Sequence, residues 1–424
     1  MNKPRKFAQS TALAAVAALT LTACASVSPG SGDSNGQDTK PDSLELWLPP
    51  TMADNSGSDV EIWDDLLKPW EDENGVDVNV TIVSWASYEA KMLTGMSSGT
   101  GPDVTYMYNE MVADYVARDQ LLPLDEHLTD EDKANFLYLD KGQIDGQQFM
   151  MPYIVGGARV LYFNQAVLDS AGVTEPPATW DDFLEAARAI KAAGGTPFLQ
   201  QWGDPNRSMM NSIFYPFLWQ AGADLFNEDG TATAFNSPEG VRAAELLYSM
   251  KEEGLMPDAV TGLNEAQVRD EFKAGNVGFI IDSDATMPQF TEAGIDLGTV
   301  GSLEDAEQGT FIAVDSLVVP ANCDAEDLCV SLLRHILSGE VMKAVHEYAP
   351  FNPVAKDEDY AGQPEFQELY EQAEVLHSPP VVQNSVQVYN ILYKHLQQMM
   401  LGQKSPEEAL ADAESEGNAV LAKN

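Results

Sequence analysis

The first residue with recognisable chemistry is Cys24, a cysteine at the end of a short apolar segment. It follows Leu21-Thr22-Ala23, and a leucine three residues before a cysteine is the bacterial pattern for lipid attachment. Residues 1–23 have a basic start and a run of small apolar residues too short to span a bilayer, as in an export signal. Cleavage elsewhere, with Cys24 discarded, is the alternative. The pattern predicts a chain anchored on the outer face of the plasma membrane by acyl chains such as palmitate on Cys24.

The remaining cysteines, Cys323 and Cys329, are separated by five residues. An extracytoplasmic compartment permits disulfides, so a bond that closes this small loop is predicted. A metal site is the alternative, but two thiols without a nearby histidine do not fill a tetrahedral zinc site. We therefore expect a disulfide and neither a metal nor a cofactor.

The histidines show no catalytic or metal-binding motif. H-E-x-x-H does not occur, and the five histidines form no pair on one helix face. A glycosidase would need two carboxylates at a defined separation, and among 67 acidic residues any pair can be imagined. The sequence gives no support to an enzyme.

Composition limits the partners and the architecture. The net charge of −44 opposes binding to nucleic acid and to anionic lipid headgroups. Residues 24–42 are polar and rich in Ser, Gly and Asp, which predicts a flexible tether. The remaining length suits two or three domains or one two-lobed fold.

Hydrophobic periodicity predicts alternating strands and helices after the tether. Residues 44–48, 76–82 and 102–107 read as strands, and residues 60–70 and 88–96 between them read as helices. This order predicts a largely parallel sheet whose strand ends meet at one edge, where ligands bind. Further along, capping sequences at Thr179, Ser237 and Ser405 predict helix starts, and residues 277–281 and 311–319 read as buried strands.

Seven short segments occur in an order that resembles a known family. They are Gly101-Pro102-Asp103-Val104, Leu121-Leu122-Pro123-Leu124-Asp125, residues 145–152, Leu161-Tyr162-Phe163-Asn164, residues 176–181, residues 272–279 and residues 405–410. Together they resemble the extracellular solute-binding proteins of bacterial ABC importers, of the maltose- and oligosaccharide-binding type. The resemblance covers nearly all of residues 43–422.

The resemblance implies a fold and a role. The fold would be α/β with two lobes, a ligand cleft between them and crossing hinge strands. Lobe 1 would comprise residues 43–151 and 315–353, and lobe 2 residues 152–314 and 354–424. Such a protein is a monomer that closes on a carbohydrate, here expected to be an oligosaccharide, and passes it to an ABC permease.

Sugar recognition needs aromatic faces for C–H groups and polar side chains for hydroxyls, so aromatic and polar residues in loops at strand ends are the ligand candidates. In lobe 1 the candidates are Trp47, Trp85, Tyr88, Tyr108, Asn109 and Glu110. Glu110 aligns with an acidic ligand contact of the maltodextrin-type relatives. Met107 replaces an aromatic residue common nearby, which weakens any transfer of maltose specificity.

In lobe 2 the candidates are Arg159, Trp202, Asp204, Arg207, Asp282, Asp284 and Tyr389. Arg159 could donate to two hydroxyls or form an ion pair between the lobes. Trp202 stands among Gly, Asp, Pro and Asn, so we expect it in a loop where it stacks on the ligand. Tyr389 aligns with a stacking aromatic of the family. Phe351 and Asn352 sit at a predicted crossing and are expected to be hinge packing.

A polyamine or another small cation is the main alternative ligand. Sites for such cations also combine Trp or Tyr with acidic side chains, through cation–π contact and ion pairing. The sequence leaves this alternative open beside the carbohydrate.

Overall fold

The computed structural model describes residues 40–51, 56–205, 207–359 and 363–423. Cys24, the predicted export signal and the predicted tether up to residue 39 lie outside the described residues. No helix among the described residues is long and apolar enough to cross a membrane.

Strands and helices alternate over residues 43–116, as the periodicity predicts. The strands are β1 (Ser43–Leu48), β2 (Asp77–Ile82), β3 (Val104–Met107), β4 (Gln143–Ile144), β5 (Gln147–Gln148), β6 (Met151–Gly156), β7 (Arg159–Asn164), β8 (Thr196–Leu199), β9 (Val277–Ser283), β10 (Leu297–Val300), β11 (Thr310–Phe311), β12 (Ala313–Val318) and β13 (Leu376–His377). The α-helices are α1 (Ser56–Asn74), α2 (Tyr88–Ser98), α3 (Asn109–Val116), α4 (Asp130–Asn135), α5 (Gln165–Ala171), α6 (Trp180–Ala192), α7 (Met210–Ile213), α8 (Tyr215–Gln220), α9 (Pro238–Glu252), α10 (Glu265–Lys273), α11 (Met287–Glu292), α12 (Glu326–Ile336), α13 (Gly339–Tyr348), α14 (Gln367–Tyr370), α15 (Ser385–Met400) and α16 (Pro406–Leu421).

The first sheet has the order β2-β1-β3-β12-β6. β1, β2 and β3 are parallel, as the β-α-β-α-β pattern predicts, whereas β12 pairs antiparallel with both β3 and β6. One apolar core surrounds this sheet and draws on residues 44–155 and 312–355. This core and its sheet form the first lobe.

The second sheet has the order β10-β7-β9-β8. Its core draws on residues 158–303 and 366–421, so it forms a second lobe. The two cores divide the chain near residues 156–157, 304–311 and 356–365. The lobe boundaries proposed from the resemblance, at 151, 315 and 353, stay a prediction.

Helix caps confirm three of the predicted starts. Thr179 accepts a hydrogen bond from the backbone N–H of Asp182, whose carboxylate accepts from the N–H of Thr179, which completes a capping box. Ser405 makes the equivalent box with Glu408, and Ser237 caps α9. These local signals place helices in the second lobe independently of tertiary packing.

Cys323 and Cys329 form a disulfide whose Cα atoms are 6.8 Å apart. It closes the segment between β12 and α12 in the first lobe. Both cysteines are buried in the first core.

Candidate functional site

A cavity of about 280 Å³ lies between the two cores, where the chain crosses from lobe to lobe. We call it the cleft cavity. It is lined from the first lobe by Pro50, Thr51, Trp85, Tyr106, Tyr108, Glu110, Ile154, Ala313, Asp315, Tyr348, Ala349, Pro350 and Phe351, from the second lobe by Arg159, Arg207, Met209, Asn211, Tyr215, Glu265, Arg269, Ser283, Ala285, Thr286, Gln289 and Pro379, and from the crossing segments by Gly157 and Phe311.

The first-lobe wall is aromatic. Trp85 lies in a short 3₁₀ turn after β2, and its ring centroid is 5.7 Å from that of Tyr106 and 5.9 Å from that of Tyr108. The indole N–H of Trp85 donates to the carbonyl of Pro50 at 3.1 Å, which fixes the ring beside the strand ends. The wall therefore offers fixed ring faces at the carboxyl ends of parallel strands.

Arg159 contributes a cation to the second-lobe wall. Its Nε donates to Ser212 Oγ at 2.8 Å and its Nη1 donates to the carbonyl of Gly157, both uncharged partners. The guanidinium lies 5.3 Å from the ring centroid of Phe311. Burial lowers the pKa of Arg159, although the group keeps its charge in the ordinary pH range. Arg159 can thus offer N–H donors to a ligand oxygen.

Arg269 is paired within the second lobe. It donates to both carboxylate oxygens of Asp282, at 2.7 and 2.9 Å, and to Glu265 at 2.8 Å. Burial tends to raise the pKa of Asp282, but the Arg269 guanidinium outweighs it and holds that pKa below its usual range. Arg269 therefore compensates the charges of both Asp282, a predicted site residue, and Glu265, which lines the cavity.

Arg207 is paired across the lobes. Its Nη2 lies 2.7 Å from Glu89 of α2 and its Nη1 lies 3.3 Å from Glu110 of α3. Burial opposes the charge of Arg207, yet the two carboxylates outweigh it and raise its pKa. We call Glu89, Arg207 and Glu110 the cross-lobe ion cluster.

Asp315 lies on β12, the first-sheet strand that follows the crossing at residues 304–311. It stands at an irregularity in the pairing of β12 with β6. Its carboxylate accepts from the hydroxyl of Tyr106 at 2.7 Å and from the backbone N–H of Asn109 at 3.4 Å. Burial, with a further contribution from the Glu110 carboxylate, raises the pKa of Asp315 to about 7. The cavity therefore contains one acid that gains or loses its proton near neutral pH.

The predicted site residues divide into three groups. Those that line the cleft cavity are Trp85, Tyr108, Glu110, Arg159 and Arg207. Those that support a lining residue from behind are Tyr88, Asn109, Asp204, Asp282, Asp284 and Tyr389. Those that the structure places away from the cavity lining and its direct supports are Trp47 and Trp202.

Trp202 lies in a turn, as expected, but its expected exposure is wrong. Trp202 is 1% exposed, and its indole N–H donates to Gln200 Oε1 at 2.8 Å. The segment is polar in sequence, but α15 covers it: Gln397 donates to the carbonyl of Trp202 at 3.1 Å. The ring is therefore part of the second core rather than an exposed stacking surface.

Trp47, Tyr88 and Tyr389 are also buried rather than exposed in loops. Trp47 lies on the face of β1 opposite its leucines, and α2 covers that face, where the ring lies against Gly95. Tyr88 donates to the carbonyl of Tyr106 at 2.9 Å. β1 is a central parallel strand and is covered on both faces. The alternation of its side chains therefore did not show whether Trp47 faces the core or the cleft.

Several lining residues were not predicted. The most informative are Tyr106, Asp315, Tyr215, Glu265, Arg269 and Phe351, the last of which was expected only as hinge packing. A single acid inside the apolar run 311–319 was a signal for Asp315, since an isolated buried charge is costly without a purpose. Tyr215 and Arg269 lie on helices, where periodicity does not separate a cavity wall from packing.

Known proteins resemble this chain in both sequence and fold. A family model described as bacterial extracellular solute-binding protein matches residues 65–368. A protein of Brucella abortus (strain 2308) named only as a binding protein is 28% identical over 393 residues, which cover 88% of this chain and 93% of that one. The diacetylchitobiose-binding protein of Streptomyces coelicolor is 25% identical over 335 residues, 76% of this chain and 75% of that one.

Among solved structures, a solute-binding protein of an ABC transporter from Thermotoga lettingae, bound with α-D-tagatose, has a similar fold. Its TM-score is 0.77 at 22% identity, and the match covers 89% of this chain and 99% of that one. This match confirms the two-lobed α/β fold predicted from the resemblance. With a family model over most of the chain and this fold, the chain belongs to the bacterial extracellular solute-binding protein family.

Proposed function

We propose that this protein captures an uncharged carbohydrate, of the oligosaccharide class, between its lobes and delivers it to an ABC import permease. The observation that carries this proposal is the composition of the cleft cavity, with an aromatic wall of Trp85, Tyr106 and Tyr108 facing polar and charged groups of the second lobe. Rings accept the C–H faces of a sugar, and side chains such as Arg159 and Asp315 bond its hydroxyls. The similarity to proteins named for diacetylchitobiose binding or solved with tagatose supports the same class.

A polyamine fits the cavity less well. Three arginines, Arg159, Arg207 and Arg269, line it, and each would repel a cation. The acids Glu110 and Glu265 are already paired with two of these arginines. An uncharged ligand avoids the repulsion and can still bond polar groups of the lining such as Arg159 and Asp315.

The test is a titration of the purified protein with hexoses, N-acetylhexosamines and their soluble oligomers, with spermidine and putrescine in parallel. A ligand at a hundred times its Kd should stabilise the fold by about 2.7 kcal/mol, read as a rise in melting temperature. Stabilisation by a polyamine and by no sugar would overturn the proposal. Chemical conversion of the sugar during incubation would instead point to an enzyme. The family consists of binding proteins, and we propose that this protein binds its ligand without converting it.

The protein works outside the cytoplasm, as the family does. We propose that Cys24, beyond the described residues, carries the lipid that anchors it and that the protein acts as a monomer. Replacing Cys24 by Ser should release the protein from the membrane fraction or block its processing. Full retention of the C24S variant in washed membranes would contradict the anchor.

A further inference from the structure

The cross-lobe ion cluster joins elements that belong to different lobes. Arg207 precedes α7 in the second lobe, and its side chain is 3% exposed. Its guanidinium lies 5.2 Å from the ring centroid of Tyr389, also in the second lobe. Both carboxylate partners, Glu89 and Glu110, belong to the first lobe. Separating the lobes therefore breaks both ion pairs at once.

The same cluster stands between two cavities. Arg207 and Glu110 line the cleft cavity. Arg207 and Glu89 also line a second cavity of about 410 Å³, the side cavity, which continues between Leu93 and Tyr115 of the first lobe and Asn390 of the second. Trp85 contributes to both walls. A ligand that extends from one cavity into the other must displace at least one ion pair.

Removing one partner from a buried ion pair is costly, because the remaining charge is left uncompensated. A ligand that stays inside the cleft cavity keeps both pairs intact and is held behind them. A longer ligand breaks at least one of these ion pairs and gains contacts in the side cavity. The cluster thus discriminates by ligand length and opposes reopening.

We propose that Glu89, Arg207 and Glu110 form a gate that closes across the lobes, retains short sugars in the cleft cavity and disfavours longer chains of the same sugar. This rests on the proposed function only for the identity of the ligand. The gate itself is a property of the lobes and can be measured without ligand.

The test uses the full mature chain and its Arg207→Gln and Glu89→Gln variants. Glu89 is the more exposed partner, so its variant tests the gate even where the Arg207 variant folds poorly. Arg188→Gln is the matched control for Arg207→Gln, because it removes the same positive charge. Arg188 pairs with Glu253 on the exposed surface of the second lobe. A length series from one to six units of the sugar that binds is titrated, and release of the shortest ligand is followed by stopped flow.

The wild-type protein and Arg188→Gln should prefer the short members. Both gate variants should release the short ligand at least tenfold faster and should raise the affinity ratio of long to short members at least tenfold. A wild-type protein that prefers long members, or variants that change neither quantity by more than twofold, would overturn the gate.

The outcome can be separated from that of the proposed function. If no sugar in the panel binds, the proposed function fails, and the gate is then decided by small-angle scattering of the ligand-free proteins. A larger radius of gyration in both gate variants than in Arg188→Gln supports the gate. Equal radii overturn it.

Discussion

Trp85 and Trp202 are both tryptophans beside polar loop residues, yet they occupy different environments. Trp85 is half-buried on the cavity wall, and Trp202 is buried in the second core. We expect Trp85→Ala to lower ligand affinity by about 2 kcal/mol with a small effect on the free energy of unfolding. Trp202→Ala should lower the free energy of unfolding by about 3–5 kcal/mol. Calorimetric titration and thermal melting of both variants check this pair, and a reversed pattern would contradict the assigned environments.

Asp315 should make stability depend on pH. Its pKa is about 7 in the folded protein, whereas an aspartate in an unfolded chain titrates near 4. Between these values the folded state keeps a proton that the unfolded state has lost, so the free energy of unfolding falls as pH rises through this window. Asp315→Asn cannot ionise and so does not lose this stability. The free energy of unfolding that it keeps is about 1.4 kcal/mol for each pH unit by which the fold raises the pKa of Asp315.

Melting temperatures of the wild-type protein and Asp315→Asn should therefore be close at pH 4 and diverge until about pH 7, with the variant more stable. Asp169→Asn, which deletes an exposed carboxylate of α5, serves as the control for the loss of one charge. A constant difference across the whole range would show that Asp315 carries no raised pKa.

At the scale of elements, the caps determine where helices of the second lobe begin. Thr179→Ala removes the side-chain half of a capping box at the start of α6, and we expect it to cost about 1 kcal/mol of stability. Thr94→Ala is the matched control, because Thr94 is exposed inside α2 and its hydroxyl donates to the carbonyl of Ala90 in the same helix. Its effect should stay within about 0.5 kcal/mol. Equal losses in denaturant unfolding would contradict the capping role.

At the scale of the whole molecule, the net charge of −44 acts on the compact state. Self-repulsion destabilises a highly charged fold, and salt screens it with a Debye length of about 30 Å at 0.01 M and about 8 Å at 0.15 M. We expect the melting temperature to rise by a few degrees between these ionic strengths, since 1 kcal/mol corresponds to about 2–4 °C for domains of this size. Scanning calorimetry in sodium chloride measures the change, and a fall with salt would show that attractive ion pairs dominate.

The sequence alone determined several of the elements and their order. Alternation and helical spacing placed β1, β2, α2 and β3, because these periods arise from local backbone geometry and one covered face. Capping boxes at Thr179 and Ser405 are local as well, since all their atoms lie within four residues. The ordered family segments supplied the two-lobed fold and the expectation of a cleft.

Only the tertiary structure decided which aromatic rings face the cleft. Trp85 and Trp202 have similar neighbours in sequence, and α15 covers one of them because of packing between residues about 190 positions apart. The cross-lobe ion cluster has the same origin: Arg207 meets Glu89 and Glu110 because two separate cores place their edges together. Side-chain periodicity shows that one face of an element is covered, but it does not show which other element covers that face. For this physical reason only the tertiary structure could identify the residues of the site.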